Sequence, residues 1–224
     1  MKGGDKMRVL IACEESQSVC MAFIEKGHEA YSADIQEPSG GRPDRHILGD
    51  ALDALKAGKI VTMDGKMHYI PKWDILIAHP PCTYLSNAGA CRLYPRKGQL
   101  DYERYKKGIE GKEFFLQFLN ADIPHICVEN PIPSKVFELP EYTQIIQPYE
   151  YGHPYTKKTC LWLKGLAPLT PTKVVEPIGP WICGNVDIWK KQAAKGVVIG
   201  KEKDKKHRSK TFEGVAKAMA EQWG

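Results

Sequence analysis

Four short runs of strand-forming residues, separated by stretches of helical spacing and turn-rich loops, constrain this chain more than any other feature. Arg8-Val9-Leu10-Ile11-Ala12-Cys13 and Ile123 to Glu129 are apolar without alternation, as expected of strands buried on both faces. His28 to Ile35 and Trp73 to Ala78 are the other two. Between them, Val19 to Lys26 places Val19, Met21, Ala22, Phe23 and Ile24 in a helical distribution that stops at Gly27, and Tyr102 to Asn120 reads as an amphipathic helix. This alternation predicts an α/β fold with an open, mainly parallel, doubly wound sheet, because parallel neighbours need crossover connections and the helices then cover both faces. Ligands of such sheets sit beyond the carboxyl ends of the strands, where the strand order reverses.

Further elements are shorter. A Pro- and Gly-rich loop follows Ile35, then Gly49-Asp50 and a short helix ending near Gly58. Residues 60–72 predict a hairpin around Met63-Asp64-Gly65-Lys66, since Asp-Gly favours a tight turn. Beyond Pro131, Tyr149 to Tyr155 and Thr159 to Leu163 suggest an antiparallel hairpin at the sheet edge. Residues 164–208 show little periodicity, and Phe212 to Trp223 reads as a helix with Phe212, Val215, Met219 and Trp223 on one face. The expected organisation is a main domain over 1–163, a short irregular insert over 164–208, and a helix over 209–224 that returns to the main domain.

At 224 residues and 42% hydrophobic content the chain can fill a full core. No stretch reaches the roughly 18–20 apolar residues of a membrane span, and the opening MKGGDKMR lacks the apolar core of a signal peptide, so a cytoplasmic location is expected. The seven cysteines are scattered, with no CxxC pair and no His-rich segment beside them, so neither a disulfide framework nor a metal site is expected. Cys13, Cys127 and Cys160 fall in apolar runs, where cysteine acts as a small hydrophobe. The net charge of +5 is uneven: residues 201–210, KEKDKKHRSK, hold six Lys or Arg and His207 against two acids. Such a run either touches phosphates or is a solvated loop.

Cys82 stands apart from the other cysteines. In Pro80-Pro81-Cys82-Thr83-Tyr84-Leu85-Ser86 it follows directly on a buried strand, and the prolines stiffen the loop that presents it. A nucleophilic thiol needs polar or electropositive surroundings, which His79, Lys157 and Lys158 are able to supply. The next strand ends in Val128-Glu129-Asn130-Pro131. A partly desolvated carboxyl there is expected to have a raised pKa, to be protonated near neutrality and to donate a proton. Taken singly, the first segment also suits a packed turn and the second an ordinary strand-to-turn signal.

In their order these segments resemble the DNA cytosine-5 methyltransferases, in particular a small, phage-type branch. The family's Pro-Cys-Gln-x-x-Ser loop is similar to Pro81-Cys82-Thr83-Tyr84-Leu85-Ser86, with Thr for Gln, and its Glu-Asn-Val to Glu129-Asn130-Pro131. Its Gly-x-Pro-Gln-x-Arg-x-Arg hairpin is similar to Gly152-His153-Pro154-Tyr155-Thr156-Lys157-Lys158-Thr159, where Lys157 takes the first Arg position and the second is lost. Phe212-Glu213-Gly214-Val215-Ala216 resembles the family's last helix.

The resemblance implies a Rossmann-like class I methyltransferase fold and methyl transfer from S-adenosylmethionine to carbon 5 of cytosine in DNA, duplex or single-stranded. It assigns Cys82 as the nucleophile that adds at carbon 6, Glu129 as the hydrogen-bond or proton donor at ring nitrogen 3, Asn130 as the residue that orders the loop, and Lys157 as a contact to the base carbonyl or a phosphate. The cofactor would lie against Cys13, Glu14, Glu15 and Ser16 after the first strand, Asp34 and Ile35 at the end of the second, Asp50, and Pro80. Asp34 suits the ribose hydroxyls, Asp50 the adenine, and Glu14 or Glu15 the methionyl amine.

Two departures from the family stand out. The turn Cys13-Glu14-Glu15-Ser16-Gln17-Ser18 has no glycine where the family is glycine-rich. The interval 164–208 is short for target recognition; within it Trp181 and Trp189, with Lys190, Lys191 and Lys195, suit either single-stranded nucleic acid or cover for the sheet edge. A related pyrimidine-modifying enzyme acting on free nucleotide or RNA, and a non-catalytic nucleic-acid-binding relative, remain as alternatives.

Overall fold

The structure is a computed structural model that describes residues 6–90, 92–181 and 209–224. The expectations for Cys91, Cys183, Trp189, Lys190, Lys191, Lys195 and nearly all of the basic run 201–210 lie outside the described residues. Among the described residues there are eleven strands: β1 (Arg8–Ala12), β2 (Glu29–Asp34), β3 (His46–Leu48), β4 (Gly58–Val61), β5 (Met67–Ile70), β6 (Ile75–Ala78), β7 (His125–Pro131), β8 (Gln144–Ile146), β9 (Tyr155–Thr156), β10 (Thr159–Lys164) and β11 (Gly179–Pro180). The α-helices among the described residues are α1 (Ser18–Glu25), α2 (Ala51–Ala54), α3 (Asn87–Ala90), α4 (Tyr102–Leu119) and α5 (Glu213–Trp223).

Seven strands form one sheet in the order β3-β2-β1-β6-β7-β10-β8. The β1, β2, β3, β6 and β7 pairings are parallel, whereas β10 runs antiparallel to both β7 and β8. With the β4–β5 hairpin set aside, the sheet reads 3-2-1-4-5-7-6 with its seventh strand reversed, the Rossmann-like class I methyltransferase arrangement expected from the sequence.

Burial on both faces explains the unbroken apolar runs. Leu10, Leu76, Ile126, Val128 and Trp162 point to one side, against Phe115 and Phe118 of α4 and Ile60 and Ile70 of the hairpin. Val9, Ile11, Ile75, Ile77, Cys127 and Leu161 point to the other, against Val19 and Phe23 of α1 and Met219 and Trp223 of α5. Each such Leu, Ile or Phe contributes roughly 1.5–3 kcal/mol of transfer free energy, and the alternation assigns successive residues of one strand to different layers. The β4–β5 hairpin forms as predicted, with Gly65 at φ +82 in its turn.

The edge hairpin is corrected in one respect. Residues 149–155 do not pair with β10; β8 does, with Thr159 opposite Ile146, and β10 therefore lies inside the sheet between β7 and β8. Pro148 and Pro154 lack the N–H that a ladder requires. The segment instead makes a 3-10 turn at Pro148–Glu150, closed by the Glu150 carboxylate accepting from the Gln147 backbone N–H at 2.6 Å. β9 then pairs with β11 rather than with the main sheet.

Candidate active site

The strand order reverses between β1 and β6, and the loops leaving the carboxyl ends of β1, β2, β3, β6 and β7 open on that point. Ala12 is in register with Ala78, and Ala78 with Val128. One residue further on, Cys13 and His79, just past β1 and β6, and Glu129, within β7, consequently lie side by side.

The loop after β6 is held at several points. His79 N–H donates to the Ala12 carbonyl at 2.9 Å, which extends the ladder by one rung before Pro80 and Pro81 end it. Asn130, 2% exposed, donates through Nδ2 to the Pro80 carbonyl at 2.8 Å and to the Glu129 carbonyl at 2.9 Å. Ser86 N–H closes the turn onto the Cys82 carbonyl at 3.0 Å, and Ser134 N–H donates to the Leu85 carbonyl at 2.7 Å. From α4, the Arg104 guanidinium donates to the Gly89 carbonyl at 2.8 Å and the Thr83 carbonyl at 3.3 Å, and lies 4.9 Å from the centre of the Tyr84 ring. A Cβ on Gly89 would overlap the Thr83 carbonyl oxygen, so only glycine lets α3 return this close to the loop.

Charge is concentrated at the loop's base. His79 Nδ1 lies 3.0 Å from Glu129 Oε2, with both side chains nearly buried. Burial disfavours the imidazolium, but the bond to Glu129 and the charges of Glu129 and Glu14 prevail and hold the His79 pKa above its ordinary value. Burial likewise opposes the Glu129 carboxylate, yet the His79 bond and the positive charges of His79 and Lys157 bring its pKa below the ordinary value. This direction is opposite to the raised pKa expected of a carboxyl at that strand end. Burial, and then the charge of Glu129, push the half-buried Cys82 thiol up, with Lys157 pulling the other way. Its surroundings are less electropositive than the sequence suggests, and the resting sulfur carries its proton.

Lys157 reaches the site from the β9–β10 connection. Its backbone N–H donates to Gln147 Oε1 at 2.9 Å, and its Nζ sits 5.8 Å from the centre of the Phe212 ring. Beneath it lies a cavity of about 20 Å³ lined by Glu129, Lys157, Thr159, Phe212, Val215 and Met219 among others. α5 is seated against the same region, with Gly214 N–H donating to His153 Nε2 at 3.0 Å.

The turn after β1 achieves without glycine what glycine usually permits: Cys13 and Gln17 both adopt φ +58. Glu14, 3% exposed, turns inward and accepts from Val19 N–H at 2.6 Å and Cys20 N–H at 3.1 Å, which caps α1. Burial pushes its carboxyl up to about 7, against the pull of His79 and of those two amides. Glu15 is also buried, and Ser16 Oγ is 3.1 Å from Ser18 Oγ. Gln17 straps the turn to the loop after β2, exchanging bonds with the Arg42 backbone at 2.9 and 3.0 Å.

Asp34 accepts from Gln36 N–H at 2.9 Å, and Asp50 caps α2 by accepting from Leu52 N–H at 2.9 Å. Burial and then the charges of Asp34 and Asp50 raise the Cys13 thiol, which puts these three on one side of the crevice. Ile35 stands 78% exposed at the end of β2. The residues named from the sequence thus form two groups: Cys82, Glu129, Asn130, Pro80 and Lys157 on one side, and Cys13, Asp34, Ile35 and Asp50 on the other. Glu14 binds the first amides of α1 within reach of His79, and Glu15 is buried near it. Sequence reasoning missed Arg104 and set His79 beside the Cys82 thiol rather than on Glu129; only the contacts made on folding reveal both.

Among the described residues no cluster of His, Cys, Asp and Glu suits a metal ion, and no helix is long and apolar enough to cross a membrane. No protein-family model matches the chain, and no curated protein matches it. Among solved structures it is similar to one from E. coli named as a candidate DNA modification methyltransferase encoded within a prophage. The two share 14% identity at a TM-score of 0.45, over 77% of this chain and 53% of that one, so the chain spans about half that structure's length.

Proposed function

We propose that this chain transfers a methyl group from S-adenosylmethionine to carbon 5 of cytosine in DNA, through a covalent adduct at Cys82. The observation that carries this reading is that Asn130 ties the loop bearing Cys82 to the strand bearing Glu129, and that Glu129 and Lys157 line one cavity, so that three separate segments meet at the mouth of the sheet.

Carbon 5 of cytosine is a poor nucleophile until something adds at carbon 6. The Cys82 S–H bond breaks as the S–C6 bond forms, and the ionised Glu129 carboxylate receives the thiol proton and passes it to ring nitrogen 3. Carbon 5 thereby gains enamine character. Lys157 faces the base carbonyl or a backbone phosphate, and Asn130 holds the Pro80 carbonyl so that Cys82 keeps its place. After methylation a base gives the carbon 5 proton up to solvent, Cys82 leaves by elimination as a thiolate, and the proton on ring nitrogen 3 returns to it through Glu129.

The residues on the β1–β3 side fit the donor. Asp34 supplies a carboxylate for ribose hydroxyls, the exposed Ile35 an apolar face for the adenine, and Asp50 an acceptor near its amino group. When bound, S-adenosylmethionine supplies the electrophilic methyl group. For the polynucleotide, the segment after Cys82 exposes Arg92, Tyr94, Arg96, Lys97, Tyr102 and Lys106, a mixture suited to phosphates and unstacked bases.

Radiolabelled S-adenosylmethionine with genomic DNA, denatured DNA, RNA or dCMP tests the reading. Label is expected in DNA; label only in RNA or dCMP would move the substrate, and absence of donor binding by calorimetry would favour a non-catalytic nucleic-acid-binding relative. DNA containing 5-fluorodeoxycytidine is expected to trap a covalent complex, and an equal yield from Cys82→Ala would discard the nucleophile.

A further inference from the structure

We infer that His79 is a positioning residue that holds Glu129 as an ionised proton acceptor, so that Glu129 takes the proton of Cys82 before it gives one to the base. For its chemical consequence this rests on the cytosine-5 reading above; the state of the pair itself does not. His79 follows β6 and Glu129 lies within β7, each one position past the paired Ala78 and Val128, so their contact is set by strand register rather than by a flexible loop. His79 is fixed at its backbone by the Ala12 carbonyl, and Nδ1 meets Glu129 Oε2 at 3.0 Å. Nδ1 must carry the hydrogen for that bond to form with a carboxylate. Nε2 is buried and has no partner among the described residues.

The charged groups around the pair come from each neighbouring loop: Glu14 from the β1–α1 turn, Cys82 from the loop after β6, and Lys157 from the β9–β10 connection, with Cys127 and Cys160 beside Glu129 within the sheet. A buried carboxyl left with Lys157 alone would lose its hydrogen-bonded cation and take up a proton near neutrality. It would then have no vacant site for the proton of Cys82, whose own thiol is held protonated. The proton balance is closed: S–H breaks, S–C6 forms, the proton passes through Glu129 to ring nitrogen 3, and the imidazolium is unchanged at the end.

His79→Asn and His79→Gln keep a neutral N–H donor but remove the charge. Two measurements on the full chain test the inference. Carboxyl-13C spectroscopy of Glu129 is expected to show an ionised group at pH 7 in the wild type and a titration midpoint at least one pH unit higher in either variant. The acid limb of the 5-fluorodeoxycytidine trapping rate is expected to move up by the same amount, a loss approaching at least tenfold at a pH below both limbs, with recovery above both. A wild-type Glu129 that is protonated at pH 7, or a midpoint unmoved in a folded variant, overturns the inference. Should both variants fail to fold, the wild-type carbon spectrum, with the 15N shifts of the His79 imidazole, decides alone. An unpaired, neutral imidazole would overturn it. If the carboxyl moves as expected but no complex is trapped in any protein, the cytosine-5 reading fails and the His79–Glu129 pair stands.

Discussion

Replacing Asn130 with Ala tests how the fold holds its cysteine. Asn130 is buried, and its Nδ2 joins the end of β7 to the loop after β6 through the Pro80 carbonyl at 2.8 Å and to the Glu129 carbonyl at 2.9 Å. Truncation leaves the buried Pro80 carbonyl without this donor, at about 2 kcal/mol, and removes the second bond, at about 1 kcal/mol. A loss of about 3 kcal/mol lowers Tm by about 6–12 °C for a chain of this size. Thermal and urea unfolding measure this loss, and the trapping rate with 5-fluorodeoxycytidine DNA reports the loop. Asn130→Asp has the same shape but turns an acceptor toward both carbonyls. Burial there raises the folded pKa of the new carboxyl above its ordinary value of about 3.9, so stability is retained below that value and lost as pH rises through the folded one. Asn130→Asp should therefore be worse than Asn130→Ala at pH 8 and closer to it at pH 4. If Asn130→Ala unfolds within 1 °C of the wild type and traps at the wild-type rate, the loop is held by something else.

Two further outcomes follow from the same geometry. Gly89→Ala places a methyl group against the Thr83 carbonyl, and the resulting overpacking should cost about 1–3 kcal/mol and slow trapping; wild-type behaviour in both would mean that the α3 segment moves without consequence. Ile35→Ser changes a side chain that is 78% exposed, so stability should shift by less than about 0.5 kcal/mol while affinity for S-adenosylmethionine by calorimetry falls about tenfold; unchanged affinity would remove Ile35 from the donor site.

Much of the architecture is legible in the chain because a strand buried on both faces leaves an unbroken apolar signature. The runs beginning at Arg8 and Trp73, the helix stopped by Gly27 and the Asp64-Gly65 turn are local events, each set by a few neighbouring residues. The short strand β8 left no such signature, since three residues carry no period, and its place beside β10 depends on a pairing with a strand met later in the chain. Tyr149 to Tyr155 looked like the better partner until Pro148 and Pro154 denied it the ladder.

The candidate site divides along the same line. Sequence alone determined that Cys82 would follow a buried strand and that Glu129 would lie near the carboxyl end of the next, because the residues that stop a strand are adjacent to those that form it. Only the tertiary structure decided their protonation: Glu129 lies beside His79, Cys82 lies beside Glu129, and Glu14 turns away to cap α1. Ionisation depends on burial and on charges brought together from distant segments, and neither exists until the strands have taken their register.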